Sequence, residues 1–135
     1  MIKYVDMVAD LFHYGHVEYL KECKKTAQYL IVGIHNDEDV KTYKRQPVMT
    51  MEERMKVVEA CKYVDKVIPN APLIVTKDFL TENNIDKIIH ADDIVNQGIK
   101  IMYSDVIEYL ELIPYTANIS TTEILNRIKI LERLS

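Results

Sequence analysis

Seven residues near the start of the chain, Asp10-Leu11-Phe12-His13-Tyr14-Gly15-His16, set two imidazoles on either side of one of its three glycines. Gly15 lets the backbone pass close to an anion without a Cβ in the way. A helix beginning near His16 aims its free N–H groups and the positive end of its dipole at the same spot. Two imidazoles placed there can donate hydrogen bonds to phosphate oxygens as negative charge builds up on them. The same seven residues also fit a tight turn carrying one surface and one structural histidine, so the surrounding sequence has to decide.

Further groups with chemical potential are spread along the chain. Lys41, Lys44 and Arg45 fall in a polar loop that, alone, reads as a solvated loop, and Arg54 and Lys62 read as helix-surface charges. Ser120 and Thr121 open a helix whose N-terminus would favour an anion, although by themselves they read as caps for orphan N–H groups. His35 and His90 end apolar runs, where a histidine is usually just hydrogen-bonded. Asp92-Asp93 can hold a metal or nucleotide, or cap the next segment. Asp6 sits inside an apolar run, where a carboxylate is expensive to bury without a partner. It is read equally as facing a ligand or as internally hydrogen-bonded. Neither GxGxxG nor a Walker loop occurs, which removes the common dehydrogenase and P-loop readings.

The elements that must position these groups alternate. Ile2 to Ala9 suits a buried first strand. Val17, Tyr19, Leu20, Cys23 and Ala27 recur at helical spacing, and Tyr29 to Ile34 reads as a second, fully buried strand. After a polar loop over Thr42 to Pro47, Thr50-Met51-Glu52-Glu53 is a capping box starting a helix that runs to about Cys61. Tyr63 to Ile68 reads as a third strand, Asn70-Ala71-Pro72 as a turn, Thr76 as a helix cap and Ile85 to His90 as a fourth strand. The stretch up to Ile113 is not readable in the same way. Ser120-Thr121-Thr122-Glu123 forms a second capping box before Ile124, Leu125, Ile128, Leu131 and Leu134 on one helical face. Such alternation predicts an α/β class: one Rossmann-like, doubly wound parallel sheet over residues 1–135 with helices on both faces. Ligands of such sheets bind outside the carboxyl ends of the strands.

Composition bounds the partners. A length of 135 residues suits one domain, and 48% hydrophobic with 28% charged residues is ordinary for a soluble globular chain. The net charge of −4 argues against general nucleic-acid binding, so any polyanion pocket must be local. Cys23 and Cys61 lack metal-site spacing and are expected to be reduced. The start of the chain has no basic region followed by an apolar stretch, and the longest apolar run is far short of a membrane span. A cytoplasmic location without a membrane segment is expected.

Taken in order, these segments resemble the cytidylyltransferase branch of the HxGH nucleotidyltransferase superfamily. Asp10 to His16 is similar to its DLFHxGH signature, and Tyr29 to Ile34 with Asp37-Glu38 to its second strand and following turn. Lys44 is similar to its loop lysine, Met49 to Arg54 to its Glu-Arg segment and Tyr63-Val64-Asp65-Lys66-Val67 to its third strand. Ile119-Ser120-Thr121-Thr122-Glu123-Ile124 resembles its C-terminal Ile-Ser-Thr motif. The resemblance implies a homodimeric enzyme that moves CMP from CTP to a phosphorylated amino alcohol or an alkylphosphonate and releases pyrophosphate. It implies that His13 and His16 hydrogen-bond the α- and β-phosphates, that Lys44 bridges acceptor and α-phosphate, and that Ser120 and Thr121 bind phosphates. It further places Val8, Ala9, Asp10, Gly15, Arg54, Lys62, His90, Asp92, Asp93, Thr116 and Ile119 around the nucleotide and Asp6, Lys44 and Tyr115 around the acceptor. Mg²⁺ comes with CTP, and no protein metal ligands are assigned.

Departures from the family pattern carry information. Tyr115 and Asn118 stand where the C-terminal motif usually has arginine and glycine, and Lys62 stands where an arginine precedes Tyr-Val-Asp. A tyrosine donates one hydrogen bond and cannot form a charged fork, so Arg45 or Arg127 must compensate or nucleotide affinity falls. Asp6 suits an amino or quaternary ammonium head. Leu73, where the choline and ethanolamine enzymes often carry an aromatic, weakens a trimethylammonium cage. An ethanolamine-type acceptor then becomes at least as suitable as choline. The alternatives are a glycerol-3-phosphate cytidylyltransferase, an adenylyltransferase of the same superfamily, or a catalytically weak nucleotide-binding module.

Overall fold

Apolar runs that cannot face water build the centre of the sheet. In the computed structural model, which describes residues 1–92, 101–114 and 119–135, Ile2–Met7 (β1) and Tyr29–Ile34 (β2) lie parallel and in register, residue for residue. Lys66–Ile68 (β3) adds to the outer edge of β2, while Lys87–Ala91 (β4) and Leu110–Ile113 (β5) extend the other side. The spatial order is β3-β2-β1-β4-β5 and every pairing is parallel. The order reverses between β1 and β4, so the crevice for a ligand opens beyond the carboxyl ends of those strands.

Alternate side chains of each strand enter opposite faces, and helices cover both. Val5, Val32 and Ile34 pack with Leu20 and Cys23 of Tyr14–Lys25 (α1) and Val58 of Met51–Glu59 (α3). Tyr4, Ile31 and Ile88 pack on the other face with Leu80 of Lys77–Glu82 (α4) and with Tyr103 and Val106. The expected doubly wound α/β architecture is present. Gly33 belongs to this packing, because a Cβ there would run into the Tyr4 hydroxyl and Ala71.

Boundaries differ from the sequence expectation where hydrogen bonding outweighs apolar character. The first strand stops at Met7 because Ala9 and Leu11 take left-handed φ values of 58° and 50°. Each such non-glycine residue costs roughly 1–2 kcal/mol. The third strand shrinks to Lys66–Ile68 because residues 61–65 form a turn, in which Val64 N–H donates to Cys61 O and Asp65 closes onto Leu30. The helix capped by Thr50 ends at Glu59, and the fourth strand begins only at Lys87. Where the sequence showed a polar turn, Asn36 caps a short helix, Asp37–Lys41 (α2). The unreadable stretch contains a 3-10 segment, Ser104–Tyr109, that feeds β5.

Thr121–Leu134 (α5) is capped by Ser120, which accepts Glu123 N–H, but the expected capping box is only half made because the Glu123 carboxylate pairs with Arg127; none of the helix's residues is buried. Both cysteines are unpaired, and burial pushes the Cys23 thiol up to about 12, beyond reach as a thiolate. Among the described residues no helix is long and apolar enough to cross a membrane.

Candidate functional site

A cavity of about 640 Å³ opens at the carboxyl ends of β1, β2 and β4. It is lined from the β1–α1 turn by Val8, Ala9, Asp10, His13, Gly15 and His16, from the α2–α3 loop by Tyr43, Lys44, Arg45 and Pro47, and from the start of α5 by Ile119, Ser120 and Thr121. Segments separated by a hundred residues thus converge on one concavity. A second hollow of about 280 Å³ beside α4 holds Lys77, Asp86 and Tyr109 without a comparable grouping.

The two histidines cap α1 reciprocally. Gly15 N–H donates to His13 Nδ1 at 3.0 Å, and His13 N–H donates to His16 Nδ1 at 3.0 Å. An Nδ1 that accepts from a backbone amide carries no proton, so the proton of each neutral ring sits on Nε2. The rings lie with centroids 4.0 Å apart, and Phe12 stacks on His16 at 5.2 Å. Burial, helped by the neighbouring His13 and Lys44 charges, lowers the His16 pKa to about 4 against a weak opposing pull from Asp10, and burial also lowers His13. At neutral pH both rings are uncharged N–H donors. Gly15 is required chiefly because a Cβ would fall 2.8 Å from the His13 ring and from an Ile119 methyl. The glycine thus admits a side chain as well as bordering the cavity.

Asp10 does structural work. Its carboxylate accepts Val48 N–H at 2.8 Å and Met49 N–H at 2.9 Å, and its own carbonyl accepts the Thr121 hydroxyl at 3.0 Å. One residue ties the histidine turn to the loop bearing Lys44 and to the start of α5. Ser120 caps α5 through Glu123 N–H while bordering the cavity, so the capping and lining readings hold together. Removing the Asp10 carboxylate would orphan two amide donors. Asp10→Ala is therefore expected to lose about 2 kcal/mol in urea unfolding and to speed amide exchange at Val48 and Met49. Unchanged exchange at both amides would refute this tie.

Two basic residues assigned to the nucleotide from the sequence sit elsewhere. Arg54 is completely buried and is neither a surface charge nor a cavity wall. Its guanidinium donates to Met49 O, Val8 O, His35 O and Asp37 Oδ1, so it braces the wall from behind. Lys62 is exposed with its Nζ 5.2 Å from the Tyr63 ring centroid, away from the cavity. Of the compensating cations, Arg45 borders the cavity, whereas Arg127 pairs with Glu123 at 2.8 Å. His90 lines the cavity from β4, its ring 5.6 Å from that of Tyr103, while Asp92 follows β4 with its N–H donated to Ile113 O. Asp93, Tyr115 and Thr116 lie outside the described residues.

Asp6 borders the cavity and accepts the Tyr103 hydroxyl at 2.5 Å, so the internal hydrogen bond is present and the residue also lies where a ligand-facing role requires it. Leu73 does not border the cavity, but the aromatic rings of Tyr43 and Tyr103 do. Tyr43, Tyr103 and His35 carry no local sequence signal for this position, because nothing nearby in the chain marks a ring that meets a carboxylate or its partner from a distant segment.

A family profile described as Cytidylyltransferase-like matches residues 7–127. The chain belongs to that family. Among its relatives, the ethanolamine-phosphate cytidylyltransferase of Dictyostelium discoideum is 37% identical over 93% of this chain and 36% of its own length. The ethanolamine-phosphate cytidylyltransferase of Mus musculus is 45% identical over 63% of this chain and 21% of its own length. Choline-phosphate cytidylyltransferase 2 of Arabidopsis thaliana is 38% identical over 93% of this chain and 43% of its own length. The chain therefore spans less than half the length of these cytidylyltransferase relatives. The fold is shared with the lipopolysaccharide core biosynthesis protein from Thermoplasma volcanium GSS1, at a TM-score of 0.70 and 21% identity over 86% of this chain and 96% of that one.

Proposed function

We propose that this chain transfers CMP from CTP to a phosphorylated amino alcohol with release of pyrophosphate. The observation that carries the reading is the convergence of three anion-binding elements on one cavity: paired Nε2–H imidazoles, the Lys44 loop and the capped start of α5. Kinship with ethanolamine- and choline-phosphate cytidylyltransferases supports the nucleotide and the acceptor class.

An acceptor phosphate oxygen attacks the α-phosphorus of CTP in line. A new P–O bond forms as the bond to the bridging oxygen breaks, and pyrophosphate leaves. No covalent enzyme intermediate is required, so the protein acts by positioning two anions and stabilising developing charge. His13 and His16 donate Nε2–H to the triphosphate without bringing positive charges that would need solvation. Lys44 supplies the fixed cation between acceptor and α-phosphate. With the Thr121 hydroxyl occupied by Asp10 O, α5 contributes its first-turn N–H groups and dipole.

Mg²⁺ bound with CTP would supply charge screening of the triphosphate. Among the described residues no group of three His, Cys, Asp or Glu side chains is arranged to hold a cation.

Pyrophosphate release with CTP and Mg²⁺ across phosphoethanolamine, phosphocholine, an aminoalkylphosphonate and glycerol 3-phosphate tests the reading. Turnover is expected with an amine-bearing acceptor and with CTP in preference to ATP. Activity with ATP alone, activity with glycerol 3-phosphate alone, or CTP binding without turnover of any acceptor would each overturn it.

A further inference from the structure

The innermost wall of the cavity holds a polar pair that the phosphate chemistry leaves unused. Asp6 ends up beside Gly33 through the β1–β2 register, and His35 follows β2 directly, so two adjacent strands deliver the side chains to one place. Their side chains are 2% and 3% exposed. One atom of each is engaged: Asp6 Oδ1 accepts the Tyr103 hydroxyl at 2.5 Å, and His35 Nδ1 meets the Tyr43 hydroxyl at 2.7 Å. The other two, Asp6 Oδ2 and His35 Nε2, lie 3.4 Å apart with no hydrogen-bond partner among the described residues. That separation exceeds an ordinary N–H···O bond.

Two buried polar atoms left in this way cost free energy unless a ligand completes them. Tyr103 cannot complete Oδ2, because its single proton already goes to Oδ1. No lysine or arginine nitrogen pairs with Asp6 among the described residues. With the His35 proton placed on Nδ1, toward Tyr43, the two open atoms therefore have neither a donor nor a paired cation among the described residues. A primary ammonium supplies three N–H donors and one charge, whereas a trimethylammonium supplies the charge and no donor.

We infer that His35 is a specificity residue which, together with Asp6, accepts N–H groups from the primary ammonium of the acceptor and thereby favours it over the N-trimethyl counterpart. This deepens the proposed function and rests on it. When His35 donates Nδ1–H to the Tyr43 oxygen, the lone pair at Nε2 turns toward the cavity beside Asp6 Oδ2. Tyr43 immediately precedes Lys44, so the loop that would hold the acceptor's phosphate also fixes the ring that reads its amine. Discrimination comes from donors present or absent, because the Tyr43 and Tyr103 rings could pack against either head group.

The test compares phosphoethanolamine and phosphocholine with CTP in the unmodified chain, His35→Leu and His35→Gln. At residue 35 Arg54 bonds the backbone carbonyl and not the side chain, so the brace behind the wall survives both changes. The unmodified chain is expected to prefer phosphoethanolamine in kcat/KM. His35→Leu should raise its KM at least about tenfold, leave the KM of CTP unmoved and spare phosphocholine turnover. His35→Gln, whose side-chain oxygen can accept, should recover part of the preference. Tyr43→Phe offers a milder arm, with a smaller loss confined to phosphoethanolamine. Equal losses for both acceptors, a parallel change in the KM of CTP, or a native preference for phosphocholine would overturn the role of His35 while leaving CMP transfer intact. An unmodified chain idle with every acceptor would overturn the functional reading itself, and this inference with it.

Discussion

Replacing His16 by alanine is expected to slow CMP transfer roughly 10²–10³-fold, the usual cost of one preorganised donor aimed at developing phosphate charge. The same ring also closes the cap of α1 by accepting His13 N–H. His16→Ala should therefore lose about 1 kcal/mol of stability as well, within the range for a lost helix cap. His16→Gln separates the two roles. Glutamine at the third helical position is the ordinary partner in a capping box and can take the same amide, so stability should return while the rate does not. A rate restored by glutamine would make His16 a cap and nothing more.

The pH dependence of stability follows from the same ring. With its pKa lowered to about 4 in the folded chain against 6.5 unfolded, His16 leaves the native state holding fewer protons than the unfolded state between those values. Its full stability is present above pH 6.5 and is lost as pH falls toward 4, by no more than about 3 kcal/mol. His16→Ala should flatten that part of a melting-temperature profile against pH. A profile of unchanged slope would mean that the ring titrates normally.

What could be read from the sequence depended on whether neighbours along the chain or across space decide the outcome. β1 and β2 are predominantly apolar and buried on both faces, with only Lys3 and Asp6 interrupting β1, and each is legible without help. The capping box at Thr50 is a local hydrogen-bond device and formed in full, whereas at Ser120 only the side-chain cap formed, the Glu123 carboxylate pairing with Arg127 instead. β3 is shorter than the strand-favouring Tyr63 and Val64 suggest, because the turn at residues 61–65 takes the Val64 N–H, which donates to Cys61 O, before an edge strand can. The stretch before β5 resisted because its 3-10 geometry has no strong periodic signal. Within the site, the His13–His16 turn, Lys44 and Ser120 were legible as types at spacings. Tyr103 and His35 were not, since their meaning comes from Asp6, which each meets only after the sheet has formed.

Arg54→Met should be strongly destabilising, costing roughly 3–5 kcal/mol in urea titration as several buried carbonyls lose their donors together at about 1–3 kcal/mol each. Methionine fills similar space, so the loss measures hydrogen bonds and not a cavity. It would strand the carbonyls of Val8, His35 and Met49 and the Asp37 carboxylate together. The ion pair is the minor part, because the Asp37 side chain is 40% exposed and can turn to water. Asp37→Ala should accordingly cost less than about 1 kcal/mol. Lysine should not rescue Arg54, since one ammonium cannot span carbonyls that a planar fork reaches from separate nitrogens. A total stability of about 5–15 kcal/mol is usual for a domain, so Arg54→Met would leave the fold close to its limit. The alternative, in which this arginine grips the nucleotide, predicts the reverse: weakened CTP binding with an unchanged unfolding midpoint. Val8 lies in the histidine turn and His35 at the acceptor wall. The variant should therefore lose activity through those two carbonyls, and only in step with the melting of the wall they hold.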